Sequence, residues 1–119
     1  MVKKLKPLLS VFGASGHRYK FYLFKFDNIF GVEDAFPDEG AVFIFLRRVY
    51  NALRFGFSYE PLHCGEAHDL SSLSAGKLSK MFPALVRANC IAVLYEGDAA
   101  LRNRVVKDIK KRNFTKFNI

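Results

Sequence analysis

The order of local patterns in this chain predicts an α+β domain: a small, mostly antiparallel central sheet flanked by helices, with an extra N-terminal β-hairpin. Three observations carry that expectation. Aromatic and β-branched runs at 8–12 and 19–26 are separated by Gly13-Ala-Ser-Gly16, which reads as a hairpin. Residues 41–46, Ala-Val-Phe-Ile-Phe-Leu, form a continuous apolar run of the kind that a sheet buries on both faces. Gly97-Asp98 precedes a helical period with Leu101, Val105 and Ile109 as its apolar stripe. At 119 residues the chain is read as one domain, 1–119, with a hairpin extension over 1–26 and a core over 40–119.

In the second strand of the hairpin, Tyr19, Phe21, Leu23 and Lys25 alternate with Lys20, Tyr22, Phe24 and Phe26, so both faces carry aromatics. The stretch 27–40 holds Asp27, Glu33, Asp34, Asp38 and Glu39 and no base, and Phe30, Phe36 and Pro37 break any period, so a solvated loop is expected. Arg47-Arg48 would end the apolar strand. Asn51–Gly56 would then turn the chain into a strand over 57–64, where Pro61 calls for an edge or a bulge and Gly65 for an end. Asp69 can cap a helix carrying Leu70, Leu73, Leu78, Met81 and Phe82, weakened at Gly76 and closed near Pro83. A strand over 88–95 follows. The last helix, capped by Asp98, has a basic solvent side that suits the negative end of its dipole.

Composition narrows the function classes. Half the residues are apolar, which supports a packed core and argues against wholesale disorder. No run approaches the roughly 20 apolar residues of a membrane span. The opening Met-Val-Lys-Lys-Leu-Lys-Pro develops no apolar region of a secretion signal. Cys64 and Cys90 are too few for a disulfide framework, so a reducing, cytoplasmic setting is expected. The formal charge of +8 is uneven. Residues 1–26 carry six bases and no acid, and 101–119 carry seven bases against Asp108. Such ends suit a polyanionic partner such as a DNA or RNA backbone, or serve simply as solvated faces.

The densest polar cluster is His63-Cys64-Gly65-Glu66-Ala67-His68-Asp69. Zinc is not expected there: strand neighbours point to opposite faces, and no second Cys or His pair has finger-like spacing. Ser71, His63 and Asp69 make a triad on paper only, since no nucleophile elbow, P-loop or GxGxxG motif occurs.

Taken in order, the segments resemble the GIY-YIG nuclease domain, in its small stand-alone bacterial form. Phe12-Gly-Ala-Ser-Gly16 with Tyr19-Lys-Phe21 looks like the opening hairpin. Gly40-Ala41-Val42-Phe43, running on to Arg47-Arg48, is similar to the strand with the first signature triad. Tyr59-Glu-Pro-Leu-His-Cys-Gly65 is similar to the strand with the second, and Glu66-Ala-His-Asp-Leu-Ser71 to the turn into the first helix. Arg87-Ala88-Asn89-Cys90-Ile91 resembles the start of the third strand, and 105–118 the last helix and terminal Asn.

That family cuts DNA with metal assistance, using a Tyr in each triad, an Arg in the first helix and a metal-holding Glu in a later helix. Carried over, these positions fall on Phe43, His63, Leu73 and Val106, and all four differ; Gly65 and Asn118 match. Phe43 has no hydroxyl to move a proton, Leu73 cannot neutralise phosphate charge, and Val106 offers no oxygen to a hard cation such as Mg²⁺. The resemblance therefore implies a nuclease fold without its nuclease chemistry, and no cofactor. An alternative is a rebuilt metal-dependent endonuclease, with His63 as base and Glu66 or Asp69 holding Mg²⁺ or Mn²⁺. On the last helix Arg102, Val106 and Lys110 share a face, and Arg47, Arg48 and Arg54 could extend it into a cationic groove for phosphate backbones. Tyr22 or Tyr50 could stack on bases. A third class is a protein-interaction or inhibitor module, or a homodimer, that uses the outer face of the aromatic hairpin 8–26.

Overall fold

The computed structural model describes residues 3–25, 38–70 and 87–113. In chain order they form β1 (Lys3–Phe12), β2 (Arg18–Lys25), β3 (Ala41–Asn51), β4 (Gly56–Ala67), β5 (Cys90–Tyr95) and the helix α1 (Ala99–Asn113). The strands make one antiparallel sheet in the order β1-β2-β5-β3-β4. Of the expected helix over 69–83 everything after Leu70, including Leu73, lies outside the described residues, as do most of the acidic run and Asn118.

Both expected hairpins form, but the first is no appendage. β2 pairs with β5, Tyr22 opposite Val93 and Lys25 opposite Cys90, so the hairpin is continuous with the sheet. That accounts for aromatics on both faces of β2, which is an internal strand. Phe21 and Leu23 point into one core cluster, while Phe24 packs against the other.

Alternation along β3 separates the two clusters. Ala41, Phe43 and Phe45 face Leu62, Leu70, Ile91 and Val93 on one side of the sheet. Val42, Ile44 and Leu46 face Cys64, Cys90, Ala92 and Ile109 on the other. Each fully buried large side chain contributes roughly 1.5–3 kcal/mol, so this continuous apolar strand is a main source of stability.

Arg47-Arg48 does not end β3. The strand runs on to Asn51 and pairs with β4 throughout, whereas β5 accompanies it only as far as Leu46 opposite Cys90. Beyond that point the β3–β4 hairpin leaves the body of the sheet, so charged residues are tolerated on it. Asn89 closes the exposed edge: its side chain accepts from the Arg48 amide at 2.6 Å and donates to the Arg48 carbonyl at 2.9 Å, imitating one more ladder residue. The turn at 52–55 falls where expected, and so does the irregularity at Pro61. Phe45 opposes His63 while Leu46 opposes Pro61, which leaves Leu62 as the extra, buried residue of a bulge on an edge strand.

α1 begins as expected, with Asp98 Oδ1 accepting from the Ala100 amide at 2.9 Å. Val105 and Ile109 of its expected apolar stripe face the sheet, but Leu101 does not. Leu101 is 40% exposed, and the side facing the sheet carries Arg102, Val105, Val106 and Ile109. No helix among the described residues is long and apolar enough to cross a membrane.

Candidate functional site

The segment resembling the second signature triad lies inside β4, which passes through Gly65 and continues to Ala67. Gly65 is opposite Phe43 in the register. A side chain on Gly65 would begin 3.0 Å from Phe43 Cζ and 3.3 Å from His63 Nε2, so glycine here is what lets those two rings approach across it. Their centroids are 6.0 Å apart. Phe43 is buried, and it meets Phe45 edge-on at 5.6 Å.

His63 is pulled from 6.5 down to about 4, by burial first and by the charge of Lys110 second. It is therefore a neutral imidazole at neutral pH, with a lone pair of low basicity. As a general base it is well below the pKa that matches a working pH near 7.

Val106, the other family position among the described residues, does not join this pair. Val106 packs with Ile44 and Cys64 on the opposite side of the sheet from Phe43. Glu66 is on that side too, and its carboxylate accepts from Arg102 Nε at 2.8 Å. A site joining His63 to Glu66 would have to reach through the sheet. Among the described residues no three His, Cys, Asp or Glu side chains gather closely enough to hold a metal ion.

Arg102 corrects the expected cationic groove. It is only 2% exposed, the one charged side chain in the described core. It donates to Glu66, and its Nη1 donates to the Glu96 carbonyl at 2.9 Å. Gly40 makes room for it, since a Cβ there would meet Arg102 Nη1 at 2.5 Å. Glu66 neutralises its charge, so Arg102 is not available to a phosphate, while Val106 and Lys110 on the same face are half-buried. A sequence reading that follows apolar periodicity misses this residue. The signal that could have found it is Glu66, an acid aligned with the inward-facing Cys64.

The solvent side of α1 is a different matter. Arg104, Lys107, Lys111 and Arg112 are exposed, and neither of the two ion pairs among the described residues, Arg102–Glu66 and Arg87–Glu60, involves them. On β3, Arg47 is exposed and Arg48 is half-buried, its guanidinium 3.5 Å over the Phe57 ring.

Asp108 is also deployed structurally. Asp108 accepts from the Ser15 amide at 2.8 Å, the Ser15 hydroxyl at 2.6 Å and the Tyr19 hydroxyl at 2.7 Å. It clasps the β1–β2 turn to the helix, and nothing in the spacing of Ser15 and Asp108 announced it.

The chain matches no family model, no curated protein and no solved structure.

Proposed function

We propose that this chain is a catalytically degenerate GIY-YIG-like domain that holds nucleic acid by its phosphate backbone and does not cut it. The observation that carries the reading is the solvent face of α1. Arg104, Lys107 and Lys111, at i, i+3 and i+7, form a cationic stripe with no ion-pair partner among the described residues, in a chain of charge +8. Such a stripe favours polyanions with affinity that depends on salt and little on sequence. Support for lost catalysis comes from Phe43, which is buried and has no hydroxyl, and from His63, which is too weak a base near neutral pH.

The test is binding of fluorescently labelled nucleic acid at about 50 and 200 mM salt. Affinity is expected to fall steeply between the two, with the slope reduced by close to one for each phosphate contact removed by Arg104→Glu or Lys107→Glu. Absence of binding at the lower salt would sink the reading. Metal-dependent nicking of plasmid DNA, lost in His63→Ala, would replace it with the rebuilt nuclease.

A further inference from the structure

We propose that the concave side of the sheet, from the cleft beside Tyr59 to the outer part of the β3–β4 hairpin, binds single-stranded nucleic acid by stacking its bases; this rests on the nucleic-acid reading above and names its substrate class. β1 and β4 are opposite edges of the sheet, yet Leu9, Val11 and Phe12 line the same cleft as Tyr59 and Pro61, so the sheet curls to bring its edges together. The cleft has a volume of about 270 Å³. That is just under the roughly 300–1,000 Å³ of a small-molecule site, a size suited to one ring of a longer ligand.

The cleft continues onto a ladder of aromatic and cationic side chains. The register sets Arg48 opposite Tyr59 and Tyr50 opposite Phe57, so all four share the face that carries Ile44 and Leu46 further in. Tyr50 and Phe57 meet edge-on at 5.4 Å and are 55% and 49% exposed. Arg48 lies over Phe57, and at the other end of the cleft Arg112 sits 5.6 Å over the exposed ring of Phe12. At the turn, Phe55 is 87% exposed although its backbone takes a φ of 51°, a conformation that bulky side chains rarely adopt.

Chemistry selects the occupant. The segment 41–59 contains no acid, and the next one, Glu60, is paired with Arg87. A neutral apolar partner would leave the guanidinium groups of Arg48, Arg54 and Arg112 without counter-charge. A duplex hides the base faces that exposed rings would stack on. An unpaired strand supplies both phosphates for the arginines and π-faces for the rings.

The experiment compares a labelled oligothymidylate with a duplex of equal length, by anisotropy, for the native chain, Tyr50→Ala/Phe57→Ala and Phe12→Ala. Binding of the single strand is expected to be tighter than that of the duplex. It should weaken by about tenfold or more for each stacking ring removed, with the salt slope unchanged and the thermal midpoint preserved. Tyr50→Phe should retain affinity, because the ring and not the hydroxyl is used. Equal binding of both nucleic acids, insensitive to the aromatic variants, overturns this proposal and leaves the backbone-binding reading standing. No binding of either overturns both. A dimer that dissociates in the aromatic variants, without single-strand affinity, would reassign the surface to a second copy of the chain.

Discussion

Ser15 gives both its amide N–H and its hydroxyl to the carboxylate of Asp108, at 2.8 and 2.6 Å, and so ties a turn near one end of the sequence to a helix near the other. These bonds, with that from Tyr19, hold the Asp108 carboxyl below its ordinary value near 3.8, the Ser15 hydroxyl contributing most. A lowered folded value means that the stabilisation is present above the unfolded pKa and is lost as pH falls through the folded one. Asp108→Ala is expected to lower stability by a constant amount from neutral pH down to about 4, and by less below it. Denaturant titrations of both proteins across that range check the sign.

Gly13 is next to the same carboxylate. A Cβ on Gly13 would overlap Asp108 Oδ2, and Asp108 cannot swing aside without giving up its hydrogen bonds. Gly13→Ala should cost about 1–3 kcal/mol, the usual scale of overpacking. In an Asp108→Ala background it should cost markedly less. A double-mutant cycle on thermal unfolding measures the coupling, and strict additivity would refute the clasp.

Removing Glu66 strands a buried cation. Glu66→Leu is expected to destabilise by about 3 kcal/mol, at the low end for breaking a buried pair because Glu66 itself is 31% exposed. Glu66→Leu/Arg102→Leu should recover much of the loss. Charge reversal at Arg102 should reduce folded protein, whereas reversal at Arg104 should leave the unfolding free energy within about 0.5 kcal/mol of the native value.

His63 sets a second pH dependence. The unfolded imidazole takes up a proton below 6.5 and the folded one only near 4, so the unfolded state binds more protons between these values and stability rises with pH across that window. His63→Phe should flatten the profile there. Because Lys110 is the second cause of the depression, Lys110→Met should raise the His63 pKa in an NMR titration.

Burial pushes the Cys64 thiol up to about 12, against a small opposing effect of Lys110, and raises Cys90 as well. Neither should react with an alkylating reagent at pH 8 while the chain is folded, and both should react in denaturant. Mass spectrometry distinguishes the two states.

Much of the fold was legible because it follows from local rules. The alternation in β2, the apolar run 41–46, the turn after Asn51, the bulge at Pro61 and the Asp98 cap are set by nearest neighbours in sequence. The extent of β3 was not, because Arg47 and Arg48 are compatible with a strand only where the hairpin has left β5 behind. The buried side of α1 was legible in Val105 and Ile109 but not at its first turn, where apolar periodicity favoured Leu101 and Glu66, on a strand distant in sequence, pairs with a buried Arg102. Of the candidate site, the closeness of Phe43, His63 and Gly65 follows from the register of one hairpin. The cleft was invisible, since it exists only through curvature that brings β1 opposite β4.

The pairing of β2 with β5 also governs how the chain must be made. Tyr22 meets Val93, about 70 residues further on. At roughly 5–20 residues per second of synthesis, the completed β1–β2 hairpin waits about 4–14 s for its neighbour. Through that interval the inner edge of β2 is open and the apolar faces of Phe21 and Leu23 have no β5 beside them. Long-range closure of this kind is slow as well as late. A nascent chain with an exposed strand edge is a target for chaperones and for pairing with other copies, so yield during expression should depend on temperature and synthesis rate more than on the stability of the finished sheet.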